Sequence, residues 1–172
     1  MKKTLIACAV ALMLLAGCAS SKPGLVLSEA KPVGTMEKKS YQDDHIRIEF
    51  LAVDLNMVFV LTNKTGEALR VLWDESAFVD ESGVSHRVMH TAQGLSERNQ
   101  TQQPSVIAPG ATLRDGLAPI DYAKWSRHGS TQKQEMLSKK SLGKKVGLLL
   151  PVQFKDQKEE YFFEFFVAKS RN

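Results

Sequence analysis

From His45 onward, hydrophobic and polar positions alternate. Ile46, Ile48 and Phe50 fall on one face and Arg47 and Glu49 on the other, as in a half-buried strand. After a turn at 54–56, residues 57–62 are apolar on both faces, as a strand inside a sheet is, and Asn63-Lys64-Thr65-Gly66 closes that run. Residues 69–73, 77–80 and 84–90 predict three further strands. Glu81-Ser82-Gly83 joins the last two, with a glycine where a positive φ is wanted. Short strands at 105–107 and around Leu113 flank a turn at Pro109-Gly110. The clearest hairpin comes last: Val146, Leu148, Leu150, Val152 and Phe154 share a face, and 161–167 return after a connection at 155–159.

Two stretches break the alternation. Residues 92–104 are rich in Gln, Asn and Ser and predict an exposed loop. From 119 to 142 no period of two persists, so the expectation there is an irregular or helical insertion. Asp121 would cap a turn running through Trp125, and a second short helix would follow Gly129-Ser130 over 131–140. Seven or eight short strands with few helical stretches predict an all-β, antiparallel, immunoglobulin-like β-sandwich over 45–172. The Cys-Trp-Cys core of true immunoglobulin domains is absent, which leaves a small barrel as the alternative.

The N-terminal part follows a different logic. Lys2 and Lys3, an apolar run from Leu5 to Leu15 and small residues up to Gly17 make a secretory signal over 1–17, with an apolar run too short for a spanning helix. Leu15-Ala16-Gly17-Cys18 resembles the lipobox of bacterial lipoproteins. That resemblance implies that the Cys18 thiol is diacylated and, after cleavage, becomes the N-terminus. With Ala19 rather than aspartate next, it implies the outer membrane of a Gram-negative cell, the domain facing the periplasm. The alternative is an ordinary periplasmic protein whose signal ends in cysteine. Residues 18–44, rich in Ser, Lys, Pro and Gly, read as the lipidated terminus and a flexible linker, within which Leu25-Val26-Leu27 could dock as an edge strand.

A second resemblance spans 43–168. Trp73-Asp74-Glu75-Ser76-Ala77-Phe78-Val79-Asp80, Arg87-Val88-Met89-His90 and Val106-Ile107-Ala108-Pro109-Gly110 are similar to runs in uncharacterised bacterial lipoproteins with an immunoglobulin-like β-sandwich. It implies a fold and no activity.

Composition narrows the function. Loss of the 17-residue signal leaves 155 of 172 residues, enough for one domain, and takes the formal charge from +4 to +2. That small charge gives no reason to expect nucleic acid as a partner, and export argues against it. Of two cysteines, Cys8 leaves with the signal and Cys18 takes lipid, so no disulfide staples the domain.

Candidate chemistry is sparse. Ser130-Thr131-Gln132-Lys133 and Lys64-Thr65-Gly66 match two penicillin-binding motifs, but in reversed order and with the second in a turn. His86 and His90 have a zinc spacing that works only on a helix. On a strand they stand about 13 Å apart, so no metal is expected, and no cofactor. Asp74, Glu75, Asp80 and Glu81 gather around a turn, either as a solvated edge or as the acids of a small hydrolase or glycan-processing enzyme. Tyr122, Trp125, Arg127 and His128 put aromatic and cationic side chains together in the irregular segment, a common recipe for binding, the alternative being that Trp125 plugs the open end of the sandwich. Lys133, Lys139, Lys140, Lys144 and Lys145 form a basic run that suits a solvated face or anionic lipid. The leading expectation is a non-enzymatic, lipid-anchored binding module for another envelope component, a protein rather than a glycan. The hydrolase is the alternative, and a membrane-surface module is the third.

Overall fold

The computed structural model describes residues 23–53, 56–125, 131–133 and 135–169. Strands β1 (Pro23–Lys31), β2 (Thr35–Met36) and β3 (Ser40–Gln42) lead into the longer pair β4 (Ile46–Val53) and β5 (Met57–Asn63). Then come β6 (Leu69–Val71), β7 (Ala77–Val79), β8 (Ser85–His90), β9 (Ser105–Ile107) and β10 (Thr112–Pro119). A short hairpin, β11 (Ala123–Trp125) and β12 (Thr131–Lys133), precedes the terminal strands β13 (Lys145–Phe154) and β14 (Gln157–Lys169).

The main sheet follows one path, β1-β14-β13-β7-β8-β10-β5-β4-β3-β2, with β6 and β9 attached beside β13 and each pairing antiparallel. The all-β antiparallel class therefore holds. Instead of a clear two-sheet sandwich of seven or eight strands, the path makes a nearly closed, barrel-like sheet. The cause lies in β8, whose first half, Ser85 to Arg87, pairs with β7 while its second half, Val88 to His90, pairs with β10. One strand thus carries the sheet around the corner. At the seam, the Leu27 amide donates to the Lys38 carbonyl at 2.9 Å.

Residues 23–44, assigned to the linker by composition, hold three strands. β14 is 13 residues long, and without a neighbour on its free side it would present a long unpaired edge, which β1 covers from Pro23↔Lys169 to Lys31↔Phe162. Leu25, Leu27 and Ala30 turn inward there. The helical expectations for the insertion are also corrected. The described residues of 119–142 form a 3₁₀ turn at Ile120–Tyr122, the β11–β12 hairpin and a second 3₁₀ turn at Lys139–Ser141. Three-residue strands are too short to show a period.

The interior is filled from facing strands. Phe50 of β4 packs edge-on against Phe165 and Phe163 of β14, with ring centroids 4.7 and 5.2 Å apart, and Tyr41 packs on Phe163 at 5.4 Å. Trp73, Phe59, Phe78, Met57, Leu61, Leu148 and Leu150 complete this core and are fully buried. At about 25 cal/mol per Å² of apolar surface removed from water, such rings dominate the stability of a domain without disulfides.

Strand direction defines two ends. β1 and β13 both run antiparallel to β14, so Pro23, Lys145 and Lys169 lie together at the entry end, joined by the turn after Val79, which pairs with Gly147. The β13–β14 turn lies at the distal end, roughly 30 Å away along a ten-residue strand.

Candidate functional site

At the distal end the alternation of β14 puts Tyr161 on the same inward face as Phe163 and Phe165, with no exposed surface. A buried tyrosine hydroxyl needs a partner. It finds Asp43 at 2.8 Å, and the buried Tyr41 hydroxyl reaches the same oxygen, Oδ2, at 2.8 Å. The other oxygen, Oδ1, accepts the backbone amides of His45 and Ile46, each at 2.8 Å, which pins the start of β4. Glu159 joins from β14: its Oε2 lies 3.0 Å from the Tyr161 hydroxyl and 2.9 Å from His45 Nδ1. Burial pushes both tyrosine hydroxyls well above their ordinary range, and the Asp43 charge pushes them further. Burial alone would raise the Asp43 carboxyl. The Ile46 amide, the Tyr161 and Tyr41 hydroxyls and the His45 amide outweigh it and hold the carboxyl below the usual range.

Asp43, His45 and Glu159 bring three ligand-type atoms within 4.8 Å of one another. The spacing suits a cation, but the donor set does not. A carboxylate has about four acceptor positions, and two amides and two hydroxyls already occupy those of Asp43. The cluster is a hydrogen-bonded knot tying β3, β4 and β14 together.

Beside this knot opens a cavity of about 820 Å³, lined by His45, Thr65, Glu67, Phe154, Lys158 and Glu159, among others. Its floor is fixed: the Phe154 ring lies 5.0 Å from the His45 ring, and Thr65 is held in its turn by Asn63 Oδ1. The volume is that of a typical recognition pocket, and both charge signs line it.

Apart from Thr65 of the Lys64-Thr65-Gly66 run, which lines the cavity, the residues singled out from sequence fall elsewhere. Cys18, Arg127 and His128 lie outside the described residues. The Trp125 backbone pairs with Thr131 in the β11–β12 hairpin. Tyr122 packs edge-on against His86 at 5.2 Å. His86 in turn is gripped on both sides, Nδ1 by Asp121 at 2.9 Å and Nε2 by Asp80 at 3.1 Å. Burial alone would lower its pKa; the two carboxylates outweigh it and raise it. His90 takes a different partner, Asp115 at 3.0 Å, and stacks on Trp73 at 4.7 Å. The two histidines serve separate networks.

The acidic group is also dispersed. Asp74 pairs with Arg87 at 2.6 Å and accepts the Gln102 amide, Glu75 pairs with Lys158, and Asp80 accepts the Ser82 and Val84 amides of its own hairpin. The polar 92–104 loop is tied down by the same Asp74–Gln102 contact and by Gln102 Oε1, which accepts the His90 amide at 3.1 Å. Sequence reasoning missed the Asp43 knot. Its one visible signal was Tyr161 on the inward face, while the partner carboxylate lies 118 positions away. No family model, curated protein or solved structure matches the chain.

Proposed function

We propose that the protein is an outer-membrane lipoprotein, anchored through Cys18 and facing the periplasm, whose barrel is a non-enzymatic binding module for another envelope protein. The observation that carries this reading is the distal cavity, set at the end of the barrel opposite the point where the anchored chain enters. Its neighbouring carboxylate, Asp43, is saturated by internal hydrogen bonds, and Glu159 is shared between Tyr161 and His45. Groups locked in this way favour a rigid recognition surface over proton transfer. The hydrolase alternative ranks second because Asp74, Glu75 and Asp80 each engage a different partner.

The test is co-purification after crosslinking in living cells, with the wild-type protein beside Gln157→Trp, which crowds the cavity rim, and Cys18→Ala, which removes the acyl attachment. A protein partner retained by the wild type and lost from Gln157→Trp at unchanged thermal stability supports the reading. Equal recovery from both proteins, or no partner from either, refutes it.

A further inference from the structure

The tether is short. β1 begins at Pro23, so only residues 19–22 separate Cys18 from the barrel, and five Cα steps span at most about 18 Å in any conformation. That is less than the length of the barrel. Lipid on Cys18 therefore keeps the entry end close to the headgroups.

The side chains at that end suit such a neighbour. Lys139 and Lys140 sit exposed on the 3₁₀ turn that feeds β13, and Lys144 is exposed on the backbone that hydrogen-bonds Val167 on both sides, through the Gly143 amide and the Lys144 carbonyl. Lys169 ends β14 opposite Pro23. Lys145 is taken up by Glu164 at 2.6 Å, whereas Lys139, Lys140, Lys144 and Lys169 make no ion pair among the described residues. Of the nearby acids, Asp80 and Asp121 are occupied with His86, Glu164 with Lys145 and Glu29 with Lys31, while Glu81 on the adjacent turn adds a further opposing charge. Beside Lys145 in the ladder, Phe166 remains 41% exposed on the outer face, an apolar side chain of the kind that inserts at the boundary between headgroups and acyl chains.

We infer that the entry end docks on an anionic phospholipid surface through Lys139, Lys140, Lys144 and Lys169, holding the barrel upright with its distal cavity turned away from the membrane. This rests on acylation of Cys18, which supplies the tether. Lysines near such a surface each change partitioning by a factor of about five, and the effect dies within a Debye length, about 10 Å at 0.1 M salt.

The test uses the acylated full-length mature protein in vesicles containing phosphatidylglycerol or made of phosphatidylcholine alone. A fluorophore is placed on Ser82→Cys at the entry end or Gln157→Cys at the distal end, and quenching by nitroxide-headgroup lipid reads proximity. Strong quenching at position 82 and little at 157 is expected in the anionic vesicles. It should weaken at about 1 M salt, where the Debye length is about 3 Å, and in the triple variant Lys139→Gln, Lys140→Gln, Lys144→Gln. Equal quenching at the two positions, or quenching indifferent to lipid charge, salt and the triple variant, overturns the docking. The mass of the N-terminal peptide separates the two failures: a Cys18 without acyl chains removes the anchor and both readings, whereas an acylated protein that fails the quenching test loses only the docking.

Discussion

At the distal end, polar contacts from three strands converge on one partly buried carboxylate, Asp43, with the Tyr41 and Tyr161 rings sealed behind it. At the entry end the polar groups are spread among separate pairs, His86 with Asp80 and Asp121 and Lys145 with Glu164, while further lysines stand in solvent. A convergent knot makes a rigid wall for a cavity. A dispersed, partly unpaired edge leaves charge available to an outside surface. The same all-β scaffold thus gathers its polar groups into one network at one end and spreads them at the other.

The contrast breaks most visibly at Asp43. Asp43→Ala removes a charged acceptor from two amides and two hydroxyls. Tyr41 retains the Pro32 carbonyl at 3.1 Å and Tyr161 retains Glu159, so part of the loss is cushioned. The expected cost is about 3 kcal/mol, near 10 °C in Tm by calorimetry. Alkali probes the same knot. The folded state raises both tyrosine pKa values above 10.0, so their contribution is intact below that pH and fades as pH climbs through the folded values. The double variant Tyr41→Phe, Tyr161→Phe should flatten that alkaline fall.

The entry end is expected to answer to pH nearer neutrality. The folded His86 pKa stands above the unfolded value of 6.5, so its stabilisation is complete below 6.5 and declines as pH rises through the folded value. His86→Gln should cost about 1 to 2 kcal/mol at pH 6, and less at pH 9. A cost independent of pH would mean that the imidazolium charge is not what holds the 120–122 turn to the β7–β8 hairpin.

The smallest effect belongs to the cavity rim. Lys155 occupies the first position of the β13–β14 turn with φ near 50°, a region that favours glycine. Its ion pair with Glu67, 2.7 Å long, is exposed and worth little. Lys155→Gly should raise stability by up to about 1 kcal/mol, a shift of one to three degrees. A lower Tm would mean that the Glu67 pair outweighs the backbone strain.

Legibility in the sequence follows the same physics. β4, β13 and β14 were readable because their inward positions recur every second residue over long runs, and β5 because residues 57–62 form a short apolar run closed by a turn. Of β1 only the edge-strand segment Leu25–Leu27 was readable; a bulge between Leu27 and Glu29 turns Ser28 and Glu29 both outward and shifts the inward set from Leu25 and Leu27 to Ala30, which hid the rest. The sequence left a small barrel only as the alternative to a sandwich, because the curl depends on β8 changing partners within one alternation. The site was less legible still. Asp43 belonged to a stretch of linker composition, and nothing local ties it to Tyr161 across the fold.

The most direct measurement places a photoreactive residue at Gln157 or at Ser82 in the full-length protein and identifies its adducts in living cells. A two-ended, anchored binding module is expected to give a discrete protein adduct from position 157 and mainly lipid adducts from position 82. Protein adducts confined to position 82, with lipid at 157, would contradict it.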